Sequence, residues 1–345
     1  REPISGASLG QVYTATYDGE PVAVKVRRPG IESLVEADLR VVKWSLPLIK
    51  RFIGQGRAFS LENLADEFAK TIRQEMDYGR ERRILEEIGE NFREAPEIRV
   101  PLAVEERSGP RVLTMEYLPG TKINDVETLD EKGIDRTELA TTLQQVYLQM
   151  IVEDGVFHAD PHPGNLAVTD NGEIIFYDFG MSGTVDPFIQ DKIIDFYLAV
   201  ANQDIDAILD TLVEMGTLSP EADRQVMGDV MELAIADARG EDIEQYRVQQ
   251  IIEQVESTIY EFPLRLPRNL ALILRVATVV EGVCVTLDPD FDFISVATDY
   301  LQEEGYYEET ARQLLTEGGQ QIQETTRALF EVPPKLSRTL DRVES

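Results

Sequence analysis

The sequence predicts an α+β protein with two lobes, in which a small antiparallel sheet precedes a larger helical part. The first thirty residues alternate apolar and polar around an Asp18-Gly19 turn, a pattern typical of a β-hairpin. A helical insertion separates this hairpin from the next strand, and from Arg136 onward the apolar residues recur mostly at helical spacing. We expect the two lobes to comprise residues 1–118 and 119–345.

A small-residue loop opens the chain and leads into the first long strand. These residues have little side-chain bulk, so their backbone amides could approach phosphate oxygens closely. The return strand, Pro21 to Val26, carries Lys25, whose ammonium would bridge two phosphates beneath the loop. Lys25 could instead be an ordinary solvated strand residue, but the preceding loop favours phosphate binding. The predicted nucleotide contacts of the loop are Ser5, Gly6, Ala7, Ser8, Gly10 and Val12.

Two helices are predicted between this hairpin and the next strand. Leu34 to Phe52 forms the first, Ile53 to Arg57 is a linker, and the second runs from about Leu61 to Glu87 with Ser60 as its N-cap. A phosphate-binding lysine usually needs a carboxylate that holds its long side chain. Glu75 is the candidate, although charge alone does not distinguish it from the other acidic residues of this helix.

The stretch Arg111 to Gly120 is predicted to form a buried strand that ends at Pro119-Gly120. This pattern is typical of the hinge in a nucleotide-binding cleft. Met115 would stand behind an adenine ring, and backbone groups of Glu116 and Leu118 would face the edge of that ring. A strand that leads into an unrelated loop would produce the same pattern.

Both histidines of the chain lie in one octapeptide, His158-Ala-Asp-Pro-His-Pro-Gly-Asn165. Asp160 precedes Asn165 by five residues, and thirteen residues after Asn165 the chain reads Asp178-Phe-Gly. The segment between them, Leu166 to Tyr177, is predicted to form a hairpin around an Asn-Gly turn. Asn165 and Asp178 offer the oxygen ligands that Mg²⁺ prefers, and Asp160 could orient or deprotonate an attacking group. The spacing therefore predicts a kinase-type active site.

Around this motif the sequence predicts mainly helices. The most apolar long one, Leu270 to Leu287, contains Arg275 and Glu281, so we expect a buried helix rather than a membrane span. Residues 311–345 also alternate at helical spacing. The predicted helices are Arg136 to Gly155, Phe188 to Asn202, Ile205 to Met215, Pro220 to Ala238, Ile243 to Tyr260, Pro267 to Leu287 and Phe293 to Tyr300.

The composition is strongly acidic. In 345 residues, 33 Lys and Arg oppose 64 Asp and Glu, for a net charge of −31, and only eight of the basic residues are lysine. Such a surface lacks the basic clusters that bind nucleic acid or anionic lipid. It is typical of salt-loving organisms, in which molar salt screens self-repulsion, with an acidic mesophilic protein as the alternative. Cys284 is the single cysteine, so no internal disulfide can form and a cytoplasmic location is expected.

These motifs resemble the UbiB (AarF-type) family of atypical kinases over essentially the whole chain. The resemblance rests on the small-residue loop, on Glu75-Met76-Asp77 and on the octapeptide that ends at Asn165. Family members usually carry a Lys-x-Gly-Gln extension ahead of the loop and hydrophobic helices after the kinase part, so we expect this chain to be a fragment. Ser5-Gly6 departs from the two alanines that are common in the family, which leaves the nucleotide preference open.

The resemblance implies roles for individual residues. Lys25 and Glu75 would form the lysine–carboxylate pair, Asp160 would be the catalytic base, and Asn165 and Asp178 would bind magnesium. The second acid of the Glu-x-Asp motif, Asp77, would lie in the nucleotide site.

The resemblance further implies an ATP- and Mg²⁺-dependent phosphotransferase or ATPase that supports isoprenoid lipid or quinone metabolism. Association with a membrane, or with an isoprenoid or quinone precursor, would involve regions beyond these residues. A regulatory nucleotide-binding module is the alternative from another class. A conventional protein kinase is disfavoured, because the segment after Gly180 is short and lacks the Ala-Pro-Glu that ends an activation segment.

Overall fold

The computed structural model describes residues 3–6, 9–53, 65–66, 68–238 and 265–306. Several predicted features therefore lie outside the described residues: the Ala7 and Ser8 loop contacts, the linker, the Ser60 cap, the Ile243 to Tyr260 helix and the tail. The strands are β1 (Ser5–Gly6), β2 (Gly10–Tyr17), β3 (Glu20–Arg27), β4 (Ile98–Arg99), β5 (Val112–Glu116), β6 (Thr121–Lys122), β7 (Val156–His158), β8 (Leu166–Val168), β9 (Ile174–Phe176) and β10 (Ser182–Thr184).

Apart from a short helix at Val126–Glu131 that was not predicted, the helices follow the predicted order with shifted ends. Asp223 illustrates one shift, because its carboxylate accepts from the amides of Gln225 and Val226 and starts a helix later than the predicted Pro220. The described helices are α1 (Ile31–Ile53), α2 (Tyr78–Asn91), α3 (Val126–Glu131), α4 (Arg136–Gln149), α5 (Pro187–Asn202), α6 (Ile205–Glu214), α7 (Arg224–Ala238), α8 (Arg268–Leu287) and α9 (Phe293–Glu303).

The amino-terminal sheet is antiparallel, with the strand order β1-β2-β3-β5. Asp18 and Gly19 both have positive φ, as a tight two-residue hairpin turn requires, so the predicted hairpin is confirmed. Lys25 on β3 stands opposite Val12 on β2 and Leu113 on β5. The lysine therefore lies in the interior of the sheet and not on an edge strand.

The long helix predicted from Leu61 to Glu87 is wrong as a single helix. Residues 68–75 are helical, but the chain breaks at Met76 and Asp77 before α2 begins. Asp77 is extended, and its carboxylate accepts a hydrogen bond from the amide of Gly79 at 3.0 Å. An aspartate that caps a helix in this way leaves the helical conformation itself, and so it divides the predicted helix into two.

The hairpin predicted between Asn165 and Asp178 is confirmed. β8 and β9 pair antiparallel with Leu166 opposite Phe176, inside a second sheet whose strand order is β4-β9-β8-β6. The amide of Tyr177 donates to the carbonyl of Asn165 at 2.8 Å, which brings both ends of the hairpin together. Beyond it, β10 returns to pair with β7, so that Ser182 stands opposite His158. These two pairings position the candidate site.

One apolar core connects the first sheet to the helical part. It includes Leu113 of β5, Leu85 and Ile88 of α2, Leu143 of α4 and Cys284 of α8, all buried. The predicted boundary at residue 118 falls between β5 and β6 and remains a prediction.

Helix α8 contains the most apolar stretch of the described chain. By length and composition, Leu270–Leu287 could cross a membrane, with a mean hydropathy of 2.1. One face is covered by the protein, where Val276, Val280 and Cys284 are buried and the Cys284 thiol lies 3.4 Å from the Ala140 carbonyl of α4. The structure therefore shows a helix that packs one side into the core and leaves the other exposed.

Candidate active site

Lys25 is held between two carboxylates. Its Nζ lies 2.7 and 3.0 Å from the two carboxylate oxygens of Glu81 and 2.7 Å from Oδ1 of Asp178. Burial by itself lowers the pKa of Lys25, but these two neighbours outweigh it and hold the pKa above its usual value. Burial raises the pKa of Glu81 to about 7, even with the lysine beside it. The ammonium is thus a buried cation that bridges the carboxylates of Glu81 and Asp178.

The partner of Lys25 is Glu81, and the expected pair with Glu75 is wrong. Glu75 ends the helical residues 68–75, whereas Glu81 lies one turn into α2, beyond the break that Asp77 creates. Glu75 does line the cleft, and burial, followed by the nearby charge of Asp178, raises its pKa. In the described part of the chain, however, no ion pair connects it to Lys25.

A sequence signal for Glu81 existed. Tyr78, Glu81, Leu85 and Ile88 follow one another at intervals of three and four, and all four are buried on one face of α2. An acidic residue on such an apolar stripe needs a buried cation. If Asp77 is recognised as an N-cap, the helix begins at Tyr78, and Glu81 falls on its buried face.

The catalytic-loop residues converge as predicted from their spacing. Asn165 Nδ2 donates to Oδ2 of Asp160 at 2.8 Å and to the Asp160 carbonyl at 3.1 Å. The amide nitrogen of Asn165 thereby faces Asp160 and leaves the side-chain oxygen for another ligand. Arg275 of α8 brings its Nη2 to 3.8 Å from Oδ1 of Asp160, a contact that no local sequence pattern predicts.

Asp178 adopts an uncommon backbone conformation, with φ of 51°. Aspartate tolerates this left-handed region better than most residues, and such conformations are concentrated at functional sites. Its Oδ1 accepts from Lys25 and from the amide of Gly180 at 3.2 Å. Burial by itself raises the pKa of Asp178, but Lys25 outweighs it and keeps the pKa below its usual value. Asp178 is therefore an ionised carboxylate.

His158 connects the two parts of the motif, a role that the sequence analysis did not identify. The ring is fully buried, and its Nε2 lies 3.0 Å from the carbonyl oxygens of both Tyr177 and Asp178. Burial lowers the pKa of His158, so the neutral ring donates from Nε2 and accepts at Nδ1 from the Tyr147 hydroxyl at 3.3 Å. The imidazole thus connects the segment that carries Asp160 to the backbone of Asp178.

These side chains surround a cavity of about 210 Å³. The predicted site residues that line it are Gly6, Lys25, Glu75, Asp160, Asn165 and Asp178. Asp77 lies outside the lining and serves as the cap of α2, so its expected place in the nucleotide site is not supported by its position. The complete lining is Gly6, Leu9, Lys25, Glu75, Tyr78, Asp160, Asn165, Asp178, Gly180 and Met181.

The predicted hinge lies at the end of β5, outside the lining of this cavity. Met115 is buried, and the amide of Glu116 donates to the Leu102 carbonyl at 2.8 Å. The carbonyl of Leu118 accepts from the Tyr177 hydroxyl at 2.6 Å. Within the described residues, nothing accepts a hydrogen bond from the Leu118 amide. Of the two backbone groups of Leu118, the amide is therefore the one that remains for a ligand.

A two-lobed α+β fold, with a buried lysine paired to a helix carboxylate and an Asp, Asn and Asp set on a hairpin, defines a kinase-like protein. The chain belongs to the family of ABC1 atypical kinase-like domains, whose model matches residues 1–212. UbiB and AarF are other names for the same family, so the family resemblance found in the sequence is confirmed.

The relatives are longer proteins. The Synechocystis sp. protein sll1770, described as uncharacterized, is 33% identical over 99% of this chain and 59% of its own length. The Arabidopsis thaliana protein named ACTIVITY OF BC1 COMPLEX KINASE 7, chloroplastic, is 34% identical over 88% of this chain and 44% of its own length. The chain therefore spans about half the length of the curated relatives it matches.

Among solved structures, the fold is similar to that of Rv3197 from Mycobacterium tuberculosis, determined in complex with erythromycin. The TM-score is 0.64, and the match covers 87% of this chain and 76% of the other. Because the two sequences are 21% identical, this similarity supports the kinase-like two-lobed fold alone.

Proposed function

We propose that this chain is the nucleotide-binding and catalytic part of an ATP- and Mg²⁺-dependent phosphotransferase or ATPase. The observation that carries the proposal is the convergence of Lys25, Asp160, Asn165 and Asp178 on one cavity. Phosphoryl transfer depends mainly on positioning and charge stabilisation, and these four side chains supply a phosphate-binding cation, an orienting carboxylate and two metal-binding oxygens.

The donor set fits a magnesium ion that arrives with a nucleotide. Asp178 has one oxygen bonded to Lys25 and Gly180, which leaves Oδ2 for a metal, while Asn165 offers its side-chain oxygen. Within the described residues, no three acidic, histidine or cysteine side chains are grouped as a ready-made metal site. Magnesium bound with phosphates needs only one or two protein oxygens, because phosphates and water complete the octahedron. Bound there, the ion would neutralise charge that develops on the phosphates.

The protein's own groups then have distinct tasks. Lys25, immobilised by Glu81, would hold two phosphates as a point charge. Asp160, with Oδ2 fixed by Asn165, would orient the hydroxyl or water that attacks the terminal phosphate and accept its proton. The amide of Leu118 would donate to the adenine edge, with Met115 behind the ring.

The acceptor is proposed to be an isoprenoid lipid or quinone precursor, or water, with membrane contact made outside these residues on the cytoplasmic side. One observation supports a small acceptor over a peptide. Only six residues separate Gly180 from the start of α5 at Pro187, and three of them form β10, which is paired with β7. The choice of an isoprenoid lipid or quinone precursor as the acceptor follows from the family resemblance.

Two substitutions test the catalytic proposal. In Asp178→Asn, the asparagine tolerates the positive φ of this position, so the backbone should be preserved. Its neutral amide is a poorer ligand for a hard cation than a carboxylate is, so the substitution should abolish Mg²⁺-dependent ATP binding. Asp160→Asn should retain ATP binding and lose most turnover. We would measure ATP affinity by calorimetry and phosphate release with Mg²⁺ or with EDTA, after circular dichroism has verified folding. Parent-like hydrolysis by both variants would refute the assigned roles.

The acceptor is tested separately. We expect phosphate release to respond to isoprenoid phenols or vesicles and expect negligible phosphorylation of added proteins, for this chain and for a longer protein that contains it. Saturable phosphorylation of one peptide by the longer protein, without any response to lipid, would support a protein kinase instead.

We further propose that the acidic surface is an adaptation to high salt. The net charge of −31 opposes the folded state at low ionic strength, and salt screens this repulsion. The melting temperature followed by circular dichroism should rise markedly between about 0.1 and 3 M potassium chloride, where the Debye length falls from about 10 Å to below 3 Å. A flat or falling profile would indicate a mesophilic source.

A further inference from the structure

Tyr78, the first residue of α2, has a buried hydroxyl group without a partner. The residue is 2% exposed, and within the described chain its hydroxyl oxygen makes no hydrogen bond. A buried polar group that is unpaired is unfavourable, and such groups are uncommon in folded proteins. The ring alone would fill this space in the core equally well, so packing does not explain why the residue is a tyrosine.

Tyr78 lines the candidate cavity, and its hydroxyl is buried beneath Gly10, the first residue of β2. The Tyr78 ring faces Lys25, whose Nζ is 5.3 Å from the ring centroid, and Tyr78 lines the same cavity as Asp178. On the other side it meets the start of β2. A β-carbon at Gly10 would overlap the Tyr78 hydroxyl oxygen and would lie 2.8 Å from the Val26 carbonyl. The Tyr78 ring therefore lies against Lys25 and its hydroxyl against Gly10, and both of these residues belong to the proposed phosphate site.

We propose that the Tyr78 hydroxyl donates a hydrogen bond to a phosphate oxygen of the bound nucleotide and is thereby a phosphate-binding residue. This inference rests on the proposed function and adds a group to the same site. It also explains Gly10, because any larger residue there would occupy the position of the hydroxyl.

The chemistry suits a donor to an anion. Burial raises the pKa of the Tyr78 hydroxyl, so it stays protonated at neutral pH. The two carboxylates whose charge acts on the Tyr78 hydroxyl, Glu81 and Asp178, already accept hydrogen bonds from Lys25. A nucleoside di- or triphosphate brings anionic oxygens to this position and would satisfy the unpaired donor, whereas a nucleoside without phosphates would not.

The test is Tyr78→Phe, which removes only the oxygen. Without ligand, the melting temperature of the variant should equal or exceed that of the parent, because the unpaired polar group is gone. Its affinity for Mg²⁺-ATP and Mg²⁺-ADP should fall about tenfold or more, as is typical when a hydrogen bond to a charged group is lost. Its affinity for adenosine should not change. Both affinities would be measured by calorimetry.

Tyr13→Phe is the matched control. Tyr13 lies on β2 in the same sheet, and its hydroxyl donates to the Gln11 side chain at 2.9 Å, away from the cavity lining. This control should bind ATP like the parent.

The outcomes separate the two proposals. If the parent binds ATP and Tyr78→Phe binds it equally well, the inference about Tyr78 is refuted and the proposed function stands. If the variant loses affinity for ATP and adenosine alike, or melts well below the parent, the hydroxyl is structural and the inference is also refuted. If the parent itself does not bind Mg²⁺-nucleotides, the proposed function fails first.

Discussion

The two sides of the cleft hold their charged side chains in different ways. On the amino-terminal side, Lys25 and Glu81 are 56 residues apart in sequence, and only 6% and 3% of their side chains are exposed. On the carboxy-terminal side, Asp160 and Asn165 are five residues apart, and the Asp160 side chain is 35% exposed. The first pair is a long-range contact inside the core, whereas the second is a local contact in a loop.

The Lys25–Glu81 pair therefore depends on tertiary packing, whereas the Asp160–Asn165 pair depends on the spacing of the two residues in the chain. A buried ion pair that loses one partner leaves an uncompensated charge in a region of low dielectric, so the fold itself suffers. A half-buried carboxylate in a loop keeps part of its hydration, so changing its surroundings affects chemistry more than stability. Asp178 joins the two sides, because it contacts Lys25 and its backbone carbonyl accepts from His158.

The largest expected effect is that of Glu81→Gln. The amide cannot neutralise Lys25, so Asp178 would be the one carboxylate of the described residues still paired with it. We expect a loss of about 3 kcal/mol in the free energy of unfolding, measured by urea denaturation, together with weaker ATP binding.

Glu75→Gln is the matched control, since it makes the same chemical change on the same side of the cleft. It should change the free energy of unfolding by less than about 1 kcal/mol, because no ion pair to Lys25 is lost. Equal destabilisation by the two substitutions would contradict the assignment of Glu81 and break the contrast between the two sides.

A smaller effect is expected for Arg275→Gln on the carboxy-terminal side. The guanidinium is 3.8 Å from Asp160 and 55% exposed, so its loss should have little influence on folding. Exposed ion pairs contribute up to about 1 kcal/mol, which corresponds to a decrease in turnover of up to about fivefold. The Michaelis constant for ATP should stay unchanged, because the role proposed for Asp160 is to orient the acceptor and not to bind the adenine.

Arg224→Gln provides the comparison for Arg275. Arg224 forms exposed ion pairs with Asp206 and Asp210 far along the chain from the catalytic loop. Arg224→Gln should have the same stability as Arg275→Gln. Its turnover, measured by steady-state phosphate release, should equal that of the parent. A similar decrease in turnover for both variants would mean that the effect reflects overall charge.

Local sequence was sufficient to predict the parts of the site that are contiguous in the chain. The spacing from Asp160 to Asn165, the hairpin before Asp178 and the alternation around Asp18-Gly19 are all local features. Hydrogen bonds between residues close in sequence stabilise them, so the local pattern was enough to predict them. The order of helices followed from their apolar periodicity for the same reason.

The choice of the acid that pairs with Lys25 depends on how the helices pack. Glu75 and Glu81 are both acidic residues on helical segments, and the break at Asp77 assigns them to different helices and turns only Glu81 into the core. The contacts of Tyr78 with Lys25 and of Arg275 with Asp160 likewise depend on how distant elements pack. Such contacts depend on the burial of whole faces of helices and sheets, which no short stretch of residues specifies.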